Sequence, residues 1–245
     1  MKLHLSVTLL TFWVIACTNA KRTVQVQYRD YELRASYRTD SVMQQFLQPY
    51  TDSLYRYMHT IIGFATFTMY KKQPESALGN FLADGMRAMA EKKAGVHISA
   101  AFINYGGIRS AIQKGEVSVE DIYALMPYNN VIVVQKCKGS IVRSLLDHVA
   151  GRSGWPCSGI SMKIRSRQAQ DIVIDGAPLN ENAWYYIANT DYIAGGGDNC
   201  LMLRGQEQVS SNYLFSDAMV GYVQSLTQNG KAIGAAVENR ITYAP

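Results

Sequence analysis

The spacing of hydrophobic and polar residues along this chain changes repeatedly between the period of a strand and that of a helix. Thr23 to Ala35 and Ile61 to Tyr70 alternate with a period of two, which predicts half-exposed strands. Between Ser76 and Gly95, four large apolar residues recur at helical spacing, namely Leu78, Leu82, Met86 and Met89. Ser76 is therefore predicted to cap a helix that ends at Gly95.

The rest of the chain continues in the same mixed order. Asp40 is predicted to cap a helix with an apolar face and a kink at Pro49. The apolar run Ile98 to Ile103 is typical of a strand covered on both faces. The later elements are predicted as a helix over Val119–Met126, a strand over Val131–Cys137, a helix over Ile141–Ala150, strands over Ser161–Arg165, Asp171–Ile174 and Trp184–Asn189, and a helix over Ser211–Leu226. The fold class is therefore α/β (α+β), with mixed sheets covered by helices.

Composition and charge narrow the class of protein. A chain of 245 residues with 48% hydrophobic and 18% charged residues can bury one sizeable core. The formal net charge of +5 is modest, and the Lys and Arg residues are scattered rather than gathered into a stripe. Nucleic-acid polymers are therefore excluded as expected partners.

The first residues are typical of an export signal. Lys2 precedes an apolar run from Leu3 to Ile15, which is too short to span a bilayer. Val14-Ile15-Ala16-Cys17 resembles the bacterial lipobox, in which cleavage before Cys17 leaves that residue N-terminal and lipidated. The alternative is an ordinary signal peptide cut near Ala20, but only lipidation explains a cysteine at this position.

The resulting expectation is an exported lipoprotein, periplasmic or at the cell surface, anchored to the membrane through Cys17. Its domains are predicted as a signal peptide over residues 1–17, a tether and first strand over 18–39, and one folded domain over 40–245. The remaining cysteines, Cys137, Cys157 and Cys200, are odd in number and lack metal-binding spacing. One disulfide is compatible with them, but buried free thiols are the favoured interpretation.

Three loops concentrate residues that can contact a small ligand: Asn104 to Arg109, Pro127 to Asn130, and Asp191 to Asp198. Each lies next to a predicted buried element, where α/β sheets place their ligand sites. An arginine beside paired glycines can hold an anion, tyrosines can stack on a flat ring, and a carboxylate can accept hydrogen bonds from vicinal hydroxyls. Each loop alone can be structural, whereas the three together indicate a ligand with an anion, an aromatic ring and a sugar.

These loops, with Pro74 to Met86 and Gly115-Glu116-Val117, resemble the C-terminal domain of the 5'-nucleotidase family in order and spacing. The resemblance covers about Asp40 to Arg240 and implies that family's fold. It also implies a role for each matching residue: Tyr128 and Tyr192 would sandwich the base, Asn104 would touch the base edge, Arg109 would meet the phosphate, Asp198 would bind the ribose hydroxyls, and Asn130 would line the pocket. Lys72 stands where relatives often carry a second phosphate-binding arginine, and it lacks the planar fork of that residue.

The family's catalytic half has no counterpart in the sequence. Two-metal hydrolysis needs a cluster of Asp, His and Asn ligands, and His59, His97 and His148 fall in none of the motifs that supply it. We therefore expect no catalytic residue and no cofactor in this chain, with divalent metals only in a separately encoded metallophosphatase that acts with it to release nucleoside and phosphate. A solitary lipoprotein that binds nucleotides or nucleosides is the alternative. A relative that keeps only the fold is less favoured, because the chain retains Arg109, Tyr128, Tyr192 and Asp198.

Overall fold

The computed structural model describes residues 26–30 and 40–244. The signal peptide, Cys17 and most of the tether lie outside these residues, so those predictions are not tested. Residues 26–30, which belong to the predicted first strand, have no regular secondary structure. The chain divides into two units between Phe46 and Leu47, within the first helix, and the sheets and cores described below belong to the second unit.

Helices and strands alternate irregularly along the chain. The helices are α1 (Ser41–Met58), α2 (Ala77–Ala94), α3 (Val119–Leu125), α4 (Gly139–Gly151), α5 (Asp191–Ala194) and α6 (Phe215–Gln228). The strands are β1 (Ile61–Ala65), β2 (Ala100–Phe102), β3 (Gly115–Ser118), β4 (Val131–Lys138), β5 (Cys157–Ser158), β6 (Ile160–Arg165), β7 (Gln168–Ile174), β8 (Ala177–Pro178), β9 (Trp184–Thr190), β10 (Glu207–Leu214) and β11 (Ile241–Tyr243).

Side-chain caps fix the ends of the first two helices. Asp40 Oδ1 accepts hydrogen bonds from the backbone N–H groups of Val42 and Met43, at 2.9 and 3.1 Å. The Ser76 hydroxyl accepts from the N–H of Gly79, and α2 ends at Gly95, whose φ of 67° is left-handed. These bonds satisfy donors that a helix start leaves unpaired, and glycine adopts the left-handed end without steric cost. Both predicted caps are confirmed.

The central sheet has five strands in the order β10-β4-β9-β2-β5. β4 is antiparallel to both β10 and β9, β9 is parallel to β2, and β5 is antiparallel to β2. A second sheet has the order β11-β6-β7-β8, with β11 parallel to β6 and the other pairs antiparallel. β1 and β3 form a separate antiparallel pair.

The central sheet is buried on both faces. Ala101 and Ala188 face a core that contains α2, α3 and α6. Ala100 and Ile187, their neighbours in β2 and β9, face a second core that contains α4 and the second sheet. Because neighbouring residues of a strand point to opposite faces, a strand between two cores is apolar throughout, as Ala100–Phe102 is. The predicted mixed α/β architecture is confirmed.

Besides residues 26–30 of the predicted first strand, two predicted elements differ from the structure. The helix predicted over Ser211–Leu226 begins only at Phe215, because the preceding residues form β10 and pair with β4, with Tyr213 opposite Ile132. The strand predicted over Ile61–Tyr70 ends at Ala65, and beyond it Met69 forms only an isolated bridge with Ile112.

The predicted burial of the thiols is confirmed. Cys137, Cys157 and Cys200 are buried and free, and burial raises the pKa of each thiol to about 12, 12 and 11, respectively. Such thiols are unreactive at neutral pH because the thiolate is the nucleophilic form. Within residues 26–30 and 40–244, no helix has the length and apolar character that crossing a bilayer requires.

Candidate functional site

The pairing of the central strands brings the three loops to one edge of the sheet. β2 and β9 are parallel, with Ala101 opposite Ala188, so both strands end at the same edge. β4 is antiparallel to β9, with Ile132 opposite Thr190, and therefore begins at that edge. The loop after β2, the loop before β4 and the loop after β9 meet there, where open α/β sheets hold ligands.

A cavity of about 330 Å³ lies between these loops. It is lined by Asn104, Gly106, Gly107, Arg109, Tyr128, Asn130, Tyr192 and Asp198. Six of the seven residues predicted to bind the ligand are thus brought together, although their contacts with a ligand remain predictions. The seventh, Lys72, is exposed and does not line this cavity. The volume falls at the lower end of the range for small-molecule pockets.

Asn104 is a largely buried residue of the cavity lining. It lies two residues after β2, is only 7% exposed, and donates from Nδ2 to Asp198 Oδ2 over 2.8 Å. Its carbonyl accepts from the N–H of Gly107 at 3.0 Å, which closes the turn. A Cβ on Gly107 would lie 2.8 Å from Asn104 Oδ1, so glycine is the residue that lets this amide pack against the turn. The amide is therefore held in one orientation.

Asp198 occupies an unusual backbone conformation. Its φ of 50° is left-handed, and it follows Gly196, whose φ is 91°. Arg152, at the end of α4, donates from Nη2 to the Asp198 carbonyl over 2.8 Å. Arg152 could not be recognised as a site residue from the sequence, since it lies far from every motif. The left-handed turn and this bond together aim the Asp198 carboxylate into the cavity.

The two tyrosine rings lie on the exposed part of the lining, with Tyr128 42% and Tyr192 47% exposed. The backbone N–H of Arg109 is fixed by the carbonyl of Leu125 at 2.7 Å, and its guanidinium donates to the Tyr128 hydroxyl. Tyr192 donates to Asp198 Oδ1 over 3.2 Å. One cation, one carboxylate and two accessible aromatic rings therefore share a single cavity, a set that can bind an anion, hydroxyl groups and a flat ring.

Side-chain hydrogen bonds to the backbone shape the third loop and join it to the second. The Thr190 hydroxyl accepts from the N–H of Ile193 and caps α5, the short helix that carries Tyr192. Asp191 Oδ1 accepts from the N–H of Val131, the first residue of β4, at 3.1 Å. These contacts hold the Tyr192 loop against the entry to β4.

His148 lies on α4, the helix whose end places Arg152 at the site. Its Nε2 is buried and makes no hydrogen bond to another described residue. Burial, and then the positive charge of Arg152, lower the pKa of His148 below its usual range, against the opposing effect of Asp198. The folded protein therefore favours the neutral imidazole. Across the described part of the chain, no group of three or more His, Cys, Asp and Glu side chains could hold a metal ion.

The chain is similar to several known proteins, including a nucleotide phosphoesterase and a cell wall protein. A family model described as "5'-nucleotidase, C-terminal domain" matches residues 51–205. The trifunctional nucleotide phosphoesterase protein YfkN of Bacillus subtilis is 27% identical over 183 residues, covering 68% of this chain and 12% of that protein. The cell wall protein Lmo0130 of Listeria monocytogenes is 26% identical over 186 residues, covering 69% of this chain and 24% of that protein.

The same fold is found in a solved structure. The 5'-nucleotidase precursor from Thermus thermophilus superposes with a TM-score of 0.68 and 24% identity, over 84% of this chain and 44% of that chain. The present chain thus spans less than half the length of each of these three relatives, and the matching family model is that of a C-terminal domain.

Proposed function

This chain belongs to the 5'-nucleotidase C-terminal domain family, and on that premise we propose that it recognises a nucleotide or nucleoside through the cavity between its three loops. One observation supports the proposal most strongly: a cation, a carboxylate and two exposed aromatic rings line the same cavity of about 330 Å³. Arg109 supplies the cation, Asp198 the carboxylate, and Tyr128 and Tyr192 the rings. A nucleotide presents the complementary groups, which are a phosphate, ribose hydroxyls and a flat base.

Each lining residue has a role that its chemistry supports. Tyr128 and Tyr192 stack on the base, at about 1–3 kcal/mol per stacked base. Asp198 accepts hydrogen bonds from the ribose hydroxyls, as an acidic residue does in dinucleotide folds. Arg109 binds the phosphate, and Asn104 uses its amide on the base edge.

We assign weaker roles to the two remaining predicted residues. Asn130 is half-buried in the lining and contributes shape and a polar edge. Lys72 is exposed outside the cavity, so any contribution to phosphate binding acts through its charge at longer range, where solvent and salt screen it.

Hydrolysis, in this proposal, requires a second polypeptide. The region that each relative named above shares with this chain is less than half of that relative, and one of them is a nucleotide phosphoesterase. A separately encoded metallophosphatase would supply the divalent metals that activate water, while this chain holds the substrate. Lipidation of Cys17 would anchor the exported chain to a membrane, where confinement with a partner anchored to the same membrane raises their effective concentration.

Calorimetry tests the binding step. The wild-type protein should bind AMP or adenosine without added metal, and Tyr128→Ala and Tyr192→Ala should each bind at least about fivefold more weakly than Tyr128→Phe and Tyr192→Phe, which keep the ring; this is the lower bound for one lost stacking face. Tyr243→Ala is the matched control, because Tyr243 is 57% exposed on β11 and lies outside the cavity lining. Titrations in which each Ala variant matches the Phe variant at the same position would eliminate the stacking roles.

A phosphate-release assay tests the division of labour. Purified protein should release no phosphate from AMP with Mg²⁺, Mn²⁺ or Zn²⁺, and release should appear when the metallophosphatase is added. Release by the protein alone, lowered in step by Arg109→Ala and Asp198→Asn, would show that this chain is itself the enzyme. Nucleotide binding without any stimulation of a metallophosphatase would instead support the solitary binding lipoprotein.

A further inference from the structure

The Tyr128 hydroxyl accepts hydrogen bonds from the cationic side chain of the cavity, the guanidinium of Arg109. Arg109 donates to this single oxygen from Nε, over 2.8 Å, and also from Nη2. A guanidinium carries five N–H donors, and a phosphate is bound most strongly by two parallel donors of one edge. The Nε–Nη2 edge of Arg109 is therefore not available to a phosphate while Tyr128 holds it.

The Tyr192 hydroxyl is bonded in a similar way to Asp198, the residue that supplies the carboxylate of the cavity. It donates to Asp198 Oδ1 over 3.2 Å and accepts from the backbone N–H of the same residue at 3.1 Å. The ring packs closely over Gly197, where a Cβ would lie 2.5 Å from the ring carbon that bears the hydroxyl. Since Asn104 donates to Asp198 Oδ2, both oxygens of this carboxylate are engaged by side chains of the cavity itself.

We propose that the two hydroxyls are internal ligands that compete with a nucleotide for Arg109 and Asp198, and that they determine how strongly the phosphate and the ribose each contribute to its affinity. Tyr128 competes with the phosphate for Arg109, and Tyr192 competes with the ribose hydroxyls for Asp198. The inference rests on the proposed function, because it concerns how the same cavity discriminates among nucleotides and nucleosides. It makes both tyrosines determinants of specificity through their hydroxyls, separately from the stacking of their rings.

Phenylalanine substitutions isolate this role, because they keep the ring and remove only the hydroxyl. Tyr128→Phe frees the Nε–Nη2 edge of Arg109, so the ratio of AMP affinity to adenosine affinity should rise by about three- to tenfold, the net worth of one hydrogen bond. Tyr192→Phe frees Asp198 Oδ1, so the ratio of adenosine affinity to 2',3'-dideoxyadenosine affinity should rise by a similar factor. Isothermal titration of wild type and both variants with these three compounds gives the ratios.

The direction of each change decides between competition and positioning. If the Tyr128 hydroxyl instead orients Arg109 for the phosphate, Tyr128→Phe lowers the AMP-to-adenosine ratio, and a lowered or unchanged ratio overturns the proposal for this residue. The same holds for Tyr192→Phe and the adenosine-to-dideoxyadenosine ratio. A wild type that binds none of the three compounds refutes the proposed function, and this inference falls with it.

A measurement without ligand tests the internal contact directly. The Nε–H of Arg109, identified in NMR spectra by its loss in Arg109→Lys, should exchange with solvent several-fold more slowly in the wild type than in Tyr128→Phe, because its hydrogen bond to Tyr128 protects it. Equal exchange rates would refute the internal-ligand role of Tyr128 even if the wild type binds AMP normally, so the two failures are distinguishable.

Discussion

Replacing Asp198 by Ala and by Asn separates two contributions of this residue to stability. One is the hydrogen bonds that its side chain accepts, and the other is its tolerance of a left-handed backbone conformation. The side chain accepts from Asn104 Nδ2 at 2.8 Å and from Tyr192, and the backbone has a left-handed φ of 50°. Alanine loses the acceptors, which costs about 1 kcal/mol because the open cavity lets water reach the freed Asn104 amide. Alanine also adopts left-handed geometry at a cost of about 1 kcal/mol or more, whereas Asp and Asn are tolerant of it.

Asp198→Ala should therefore lower the free energy of unfolding by about 2 kcal/mol, and Asp198→Asn, which keeps an acceptor oxygen and the tolerant backbone, by less than about 1 kcal/mol. For a domain of this size, the alanine variant should melt about 4–8 °C below the wild type. Urea unfolding and calorimetric melting of both variants measure the difference. Equal stability of the two variants would refute the backbone argument, and wild-type stability of Asp198→Ala would refute both arguments.

Three further predictions concern parts of the chain outside the cavity. Gly139→Ala should lower the free energy of unfolding by about 2 kcal/mol or more, because the added Cβ would lie 2.1 Å from the backbone oxygen of Asn180. Gly151→Ala in the same helix should not, because the nearest atom of a neighbouring segment would lie 3.8 Å from its Cβ, and equal urea midpoints for the two variants would contradict this. The pKa of His148 is lowered in the folded state, so the unfolded state takes up this proton first as the pH falls. Stability should therefore fall below about pH 6.5, by up to about 1.4 kcal/mol per pH unit. His148→Gln should remove this part of the pH dependence of stability, and an unchanged pH dependence would contradict the prediction. Cys17→Ser should move the protein from the membrane fraction to the soluble fraction or leave it unprocessed, and a wild-type mature chain that begins after Ala20 without lipid mass would disprove the anchor.

Local chemistry explains why the helix ends could be predicted from the sequence. The Ser76 cap involves a partner three residues away, and the Gly95 stop depends on the φ of one residue. Both interactions are confined to one helical turn, so the residues that make them are neighbours in the sequence. The same is true of Asp40, whose carboxylate meets the N–H groups two and three residues later.

Long-range pairing explains the helix that was predicted too early. The segment before Phe215 forms β10 because Tyr213 and Leu214 lie opposite Ile132 and Val131, which stand far earlier in the chain. The register of β10 shifts between Ser210 and Tyr213, which also disturbs the alternation that marks a strand. The periodicity of a short stretch of sequence carries no information about a partner strand so far away in the chain. The pairing of β10 with β4 therefore overrides the local preference for a helix.

The cavity could be predicted only in part. Its residues could be predicted because parallel strands such as β2 and β9 end at the same edge, and each loop carried a chemically distinctive residue. The contacts inside it could not, since the bond from Arg109 to Tyr128 depends on rotamers and the bond from Arg152 to Asp198 joins residues that no motif connects. These contacts determine how strongly the site responds to each part of a ligand. Because the cation and the carboxylate of the cavity already bind its own side chains, a ligand gains at those contacts only the difference between the old bonds and the new ones, so stacking on the two rings should dominate its affinity.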